Sequence, residues 1–475
     1  MNKVMKLRSI IPGRNNIPLT IVKKRALKLV ITLFFITVGT VKAQGQDPPD
    51  RPNIVFVIAD SHRSDALGAN GNPIARTPNL DSLAYSGLNF KQAYVTTAIC
   101  AVSRASILSG QYQLRHRIND FVTDFSGEAW SNTYPMLLKK AGYTVAQIGF
   151  LGVGKNPPAT TFDHWEDKIP WMGEDSVHQT DAITQKATGF IARQQNSPKP
   201  FYLAVSYHAA HEIDPRDGKP AHYLIQSRFR ELYKDRTIPV PVSTSGEHWD
   251  QFPAFFKTDK NIARQRWHGF FSTDSLLQEN TKNYYRLVTG LDEAVGKIVE
   301  SIRKHAPNTI FIYTSDHGFS LGEHGLMGKW YGFQTAIHVP LIINDLRENR
   351  RLPITSSEDF ALNIDLAPTI LGLAGISAPE AMQGIDLVGN LKKRTAQRPY
   401  FFYEHTVFPS PLLPKIEGIV GKDYKYLVFT EHNYELLYDL KKDQQEVINL
   451  SGDRSYRKIL SKYRNLYRKH RESLH

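Results

Sequence analysis

NIVFVIAD, residues 53–60, is an unbroken run of apolar, largely β-branched side chains that stops at an acid. A strand with one face in water alternates polar and apolar residues. One buried on both faces of a mainly parallel sheet reads instead as a continuous apolar run. NTIFIYTSDHG (308–318) and KPFYLAVSYHAAH (199–211) repeat the pattern. Between such runs the spacing turns helical: TPNLDSLAYSG (77–87) and YPMLLKKAGY (134–143) each begin at a cap-like residue and end near a glycine. In YYRLVTGLDEAVGKIVESIRKH (284–305), Leu287, Leu291, Ala294, Val295, Ile298 and Ile302 share one stripe. Strands alternating with helices predict an α/β fold, a large mixed, mostly parallel sheet flanked by helices. Ligands of such sheets sit beyond the carboxyl ends of the strands. Three of these strands end in Asp60, in Asp316-His317, and in the segment carrying His208 and His211. Their convergence predicts a site.

From about residue 395 the texture changes. RPYFFYEH, IEGIVGKDYKYLVF and YELLYDL read as short aromatic strands separated by Gly, Asn and Asp turns, and a basic amphipathic helix closes the chain. The expected division is therefore an α/β domain over 44–394 and a small α+β subdomain, one antiparallel sheet with one helix, over 395–475. Residues 1–43 differ from both. A basic run without acids precedes the apolar stretch Leu29–Val41, which ends in Val41-Lys42-Ala43. This is the pattern of a secretory signal peptide; the apolar stretch is shorter than the about 20 residues of a spanning helix. The expectation is export to the periplasm, cell surface or medium, with no stable membrane insertion once the leader is cleaved. QGQDPPDRP then reads as a short linker.

The leader also explains the charge. The chain carries a net +13, but nine of its 59 Lys and Arg and none of its 46 acids fall in residues 1–43, which leaves +4 for the rest. A nucleic-acid surface wants a concentrated basic stripe, so none is expected.

One cysteine occurs in 475 residues, in AICAVSRASILSG (98–110). A lone thiol excludes an internal disulfide and leaves a small buried hydrophobe, a reactive group, or the precursor of one. Ser103 and RASILSG look like the first turns of a helix stopped by Gly110. A helix start favours anions, and Arg104 adds a bidentate cation one turn on. Read alone, a buried thiol beneath a helix remains the simpler account.

CAVSRASILSG resembles the signature of the sulfatase family, Cys-x-Pro-Ser-Arg followed by a short helix. The resemblance continues in order through RPNIVFVIAD, TPNLDSLAYSG, YTSDHGFSLGEHGLMGKW, HVPLII and YELLYDLKKDQQEVINL. It implies the alkaline-phosphatase-like fold and an exported bacterial hydrolase of sulfate esters. Its substrate would be a sulfated carbohydrate such as ulvan or a glycosaminoglycan. It also implies that a maturation enzyme oxidises Cys100 to formylglycine. The hydrated aldehyde, held by a metal, attacks sulfur in line and expels the alcohol, and its second hydroxyl then ejects sulfate. Asp60 and Asp316 match the family's metal carboxylates, His317 a further ligand position, and residue 100 completes the set; hard oxygen ligands point to Ca2+, with Mg2+ second. Arg104 matches the arginine that holds the formylglycine, Lys329 a lysine on the sulfate, and His211 a candidate general acid near the leaving oxygen. His208 and His211 also suggest a zinc pair, weakly, because no third ligand follows at a telling distance.

Departures from the family pattern are specific. The second of two consecutive carboxylates is Ser61, the third signature residue is Val102, and the positions of a lysine and a histidine hold Phe150 and Gly152. Lys155 is a candidate to reach in from downstream, and His338 replaces an arginine before VPL. The glycines before Lys155 also mimic a phosphate-binding loop, but Asn156 and two prolines stand where the motif needs Ser/Thr and a helix. Two other functions stay open on sequence: a non-catalytic glycan-binding relative, and a phosphodiester or phosphonate hydrolase of the same superfamily.

Overall fold

The apolar run that ends at Asp60 is β1 (Asn53–Ala59), and its side chains alternate between two cores. Ile54, Phe56 and Ile58 belong to one buried cluster, Val55, Val57 and Ala59 to the other. A strand's period of two sends successive residues to opposite faces, so burial on both faces needs an apolar residue at every position. The structure, a computed structural model, describes residues 51–474 apart from 173–176, 216–217, 219, 396–397 and 408–409. The predicted leader and most of the linker lie outside the described residues.

The remaining strands of this region are β2 (Leu88–Tyr94), β3 (Thr144–Gly149), β4 (His164–Glu166), β5 (Phe201–Ser206), β6 (Thr309–Ser315), a short hairpin of β7 (Ser320–Leu321) and β8 (Met327–Gly328), β9 (Leu341–Asp345) and β10 (Ser356–Leu362). Together with β1, all but the hairpin form one eight-stranded sheet in the order β10-β2-β9-β6-β1-β5-β3-β4. All neighbours run parallel except β9, antiparallel to both β2 and β6. This is the mixed, mostly parallel sheet expected from the sequence.

The helix Asp274–His305 covers one face with the predicted stripe, all six residues of which are buried. It is longer than the apolar pattern indicates. It begins ten residues earlier, where Thr273 Oγ1 accepts the amide of Leu276 at 3.2 Å. The helix Pro78–Ser86 starts where expected, but Thr77 does not cap it. Thr77 Oγ1 is occupied by the Gly68 amide and by Asp81. The first-turn amides are taken by Asp292 from the long helix: Oδ1 accepts Leu80 N at 2.7 Å, and Oδ2 accepts Asn79 Nδ2 at 2.8 Å. Gly296, one turn on, lets the two helices close, since a Cβ there would lie 2.7 Å from the Asn79 side chain.

The other face is covered by the helices Cys100–Ser109 and Leu366–Leu373. Beside them lies the second sheet, an antiparallel meander of β11 (Tyr400–His405), β12 (Ile416–Gly421), β13 (Tyr424–Phe429) and β14 (Tyr434–Asp439). The helix Arg457–Leu474 packs on it through Leu460 and Tyr463. Tyr94 of β2 meets Phe401 of β11 at 5.1 Å between ring centroids, so both sheets share this core. Among the described residues no helix is long and apolar enough to cross a membrane.

Burial raises the Asp292 carboxyl to about 6, against its ordinary 3.8, despite the amides it accepts. The folded protein therefore holds this proton more tightly than the unfolded chain, and stability falls as pH rises from about 4 to about 6. Asp292→Asn should remove that slope. Between pH 4 and 7 the wild type should lose about 3 kcal/mol relative to the variant in denaturant midpoints; parallel pH curves would refute the assignment.

Candidate active site

Parallel register brings the first two acids together. Ala59 of β1 is paired with Ser315 of β6, so the next residues, Asp60 and Asp316, emerge side by side at the carboxyl edge. Backbone bonds continue past the strand ends: Asp316 N donates to Ala59 O at 3.1 Å and Asp60 N to Ala209 O at 3.1 Å. The second bond ties in the segment after β5, which carries His208 and His211. The helix Cys100–Ser109 begins at the cysteine itself, earlier than the sequence pattern suggests, and ends at Gly110 with φ +67°. Every residue of that helix is buried.

The sulfur, one oxygen of each carboxylate and a ring nitrogen of His317 all lie within 4.8 Å of one another. His317 Nδ1 is 2.7 Å from Gly318 O. A carbonyl only accepts, so Nδ1 carries the proton and the Nε2 lone pair faces the cluster. Nε2 is 3.2 Å from Cys100 Sγ and 3.5 Å from an oxygen of each aspartate. Arg104 enters from the helix: Nε donates to Asp316 Oδ2 at 2.8 Å, and Nη1 to Ser206 Oγ at 2.6 Å and Phe150 O at 2.9 Å. Lys329 Nζ donates to Cys100 Sγ at 2.9 Å and to His211 Nε2 at 3.1 Å. All seven predicted site residues thus meet in one place.

The electrostatics follow from burying two acids together. Burial disfavours ionising Asp60, yet His211, Lys329, His317 and Arg104 around it hold its carboxyl well below the usual range. Asp316 takes the other side of the pair: burial and the neighbouring Asp60 charge push it up to about 6. Burial also drives the Cys100 thiol upward, so as a thiol it is a poor nucleophile here. A cation among the two carboxylates and the imidazole nitrogen would relieve the carboxylate repulsion, and the donor set suits it: hard, buried oxygens beside a lone pair already aimed inward.

The departures are accommodated in a consistent way. Ser61 stands at φ +65° and turns its hydroxyl onto Asp60 Oδ1 at 2.9 Å, while its amide reaches Asp316 Oδ1 at 3.3 Å. It therefore orients both carboxylates. Val102 is fully buried in the core. Gly152, at φ +75°, makes room for Arg104, because a Cβ would lie 2.6 Å from Arg104 Cδ. Phe150 gives its carbonyl to Arg104 and stacks its ring on His208 at 4.6 Å, with the Trp171 ring tilted by 54° against the same imidazole at 4.7 Å. His208 is thus held in an aromatic stack, its proton affinity lowered by burial to about 4, while His211 turns to Lys329; the two do not form a zinc pair. Lys155 is exposed, and the cations at Cys100 and Asp60 are Lys329 and Arg104. His338 stacks on Tyr94 and bonds Lys91 O at 2.8 Å.

Sequence reasoning missed four contributors. Ser206 braces Arg104. Glu212 and Arg266 flank His211, and Trp330 follows Lys329 with its ring 5.6 Å from the Arg266 guanidinium. Glu212 is adjacent to His211 in sequence and was within reach of a local reading; Arg266 carries no such signal.

A carboxylate, imidazole and cation cluster at the carboxyl edge of such a sheet is the site of a hydrolase acting on a tetrahedral anion. Comparison with known proteins agrees. The family described as "Sulfatase" matches residues 52–376, and "N-sulphoglucosamine sulphohydrolase, C-terminal" matches residues 322–473. The chain is 27% identical to the N-acetylglucosamine-6-O-sulfatase of Bacteroides thetaiotaomicron, over 93% of this chain and 90% of that one. It is 26% identical to the ulvan-active sulfatase of Formosa agariphila, over 91% and 84%. A structure solved in complex with its substrate D-glucosamine-2-N,6-O-disulfate superposes with a TM-score of 0.74 at 24% identity, covering 89% of this chain and 98% of that one. The chain belongs to the sulfatase family and is a sulfuric ester hydrolase.

Gly152→Ala should displace Arg104 and reduce sulfate release by about tenfold or more, with about 1–2 kcal/mol of backbone strain. Gly142→Ala shares a positive φ but has open space around it, so it should keep full activity. Equal activities in the two variants would show that Arg104 does not depend on the space at residue 152.

Proposed function

We propose that this chain is an exported sulfatase that removes sulfate esters from a sulfated carbohydrate, a glycosaminoglycan- or ulvan-like glycan, through a formylglycine made from Cys100. The observation that carries this reading is the meeting of Cys100 with Asp60, Asp316, His317, Arg104, Lys329 and His211 in one buried cluster. The substrate class is supported by the activities of these relatives, and export by the composition of residues 1–43.

Asp60, Asp316, His317 and residue 100 would hold the divalent ion, Ca2+ before Mg2+, and the ion would supply charge stabilisation at the nucleophile. Residue 100, once converted, would supply as the hydrate one hydroxyl to attack sulfur and a second to eject sulfate. The side chains of the chain itself do the rest. Arg104, one turn after residue 100 in the same helix, keeps its guanidinium against Asp316. Lys329, held charged against burial by the Asp60 and Asp316 carboxylates, meets the sulfuryl oxygens. His211 Nε2 lies 3.1 Å from Lys329 Nζ and so faces the leaving oxygen of a sulfate bound there. Ser61 keeps both aspartates turned inward in place of a second acid.

Co-expression with a formylglycine-generating enzyme should convert residue 100, seen as an aldehyde in the peptide spanning 98–110. The matured protein should release inorganic sulfate from 6-O- or 2-O-sulfated oligosaccharides. Cys100→Ala should abolish release, and chelation of divalent ions should lower it by about a hundredfold, restored by Ca2+. Aldehyde at residue 100 with no release across such a panel would overturn the proposal.

A further inference from the structure

His211 has two neighbours to which the reaction above gives no task. Glu212 is 1% exposed, and its Oε1 accepts from Arg266 Nη1 at 2.5 Å. Arg266 is anchored in turn by Asp214 Oδ1 at 2.7 Å and by the Trp330 ring. The other carboxylate oxygen, Glu212 Oε2, has no hydrogen-bond partner among the described residues and stands 3.5 Å from His211 Nδ1. A buried carboxylate oxygen left unpaired is costly, so an ion pair built only to hold the loop would be expected to use both oxygens. Here one is aimed at an imidazole edge. That Nδ1 already lies 2.5 Å from Glu212 O, which places its proton there and turns Nε2 toward Lys329.

We propose that Glu212, fixed by Arg266, is the positioning residue for His211: its carbonyl holds Nδ1–H so that Nε2 faces the leaving oxygen, and its free carboxylate oxygen, 3.5 Å from Nδ1, balances the imidazolium before the proton is given. The inference rests on the sulfatase reading above. Once a bound ester draws Lys329 onto its sulfuryl oxygens, Nε2, which otherwise accepts from Lys329, takes up a proton from solvent. As the S–O bond breaks, its electron pair goes to the leaving oxygen, which takes that proton, and the imidazolium becomes neutral imidazole. The sulfuryl group passes to the nucleophile at residue 100. A good leaving group departs without that proton, whereas a sugar hydroxyl needs it. Glu212 should therefore matter in proportion to the basicity of the alcohol expelled, and a purely structural ion pair should not.

The test uses the matured full chain, its aldehyde verified by peptide mass, with 4-nitrophenyl, phenyl and 4-methoxyphenyl sulfate. Glu212→Gln keeps the shape but not the charge. It should change kcat on 4-nitrophenyl sulfate by no more than about threefold and lower it on 4-methoxyphenyl sulfate by about tenfold or more, with KM little altered. Glu212→Asp should recover part of the difference. Arg266→Met, which frees the carboxylate without removing it, should steepen the same dependence and carries the test if Glu212→Gln does not fold. Equal losses on all three esters, or none on any, would overturn this inference while leaving the sulfatase reading intact. A folded, matured wild type inert on every sulfate ester tried would remove both.

Discussion

The constraint on which the site depends is the enforced closeness of two buried carboxylates. The Ala59–Ser315 pairing leaves Asp60 and Asp316 no separate destinations, and burial removes the water that would screen them. Everything around them answers this. Arg104 lies against Asp316, Lys329 and His317 close on Asp60, and Ser61 turns its amide and hydroxyl inward. The result is a concentrated field at the head of the helix that carries Cys100, where a tetrahedral anion finds fixed donors that need not reorganise.

The departures from the family pattern share a logic. Losing an acid at Ser61 removes one negative ligand but supplies a hydroxyl that orients another. Where the family pattern has a lysine and a histidine, Phe150 and Gly152 trade direct cations for space and an aromatic wall, and the space is filled by Arg104. The clamp is thereby concentrated on Arg104 and Lys329. Beyond it, His211 is backed by a chain of contacts running through Glu212 and Arg266 to the exposed Asp214.

Much of this was legible residue by residue. Asp60, Asp316 and His317 could be named because each closes an apolar run, and strand ends in such sheets are where ligands sit. The length of the helix Asp274–His305 was not, because its first ten residues lack the apolar stripe and are specified by the Thr273 cap and by packing. The cap of the helix Pro78–Ser86 was misassigned for a related reason. A threonine before a helix is a local signal, whereas the acceptor in use, Asp292, is more than two hundred residues away.

The sequence by itself determined the α/β class, the two sheets and the residues able to do chemistry, since periodicity and residue type are properties of the chain alone. It also contained Cys100, but not the carboxylates, imidazole and ammonium that surround it. Only the tertiary structure decided that Lys155 stays outside the cluster, that Gly152 is space for Arg104, and that Arg266 stands behind Glu212. Those facts are distances between segments far apart in sequence, set by strand register and core packing, and no local pattern encodes them.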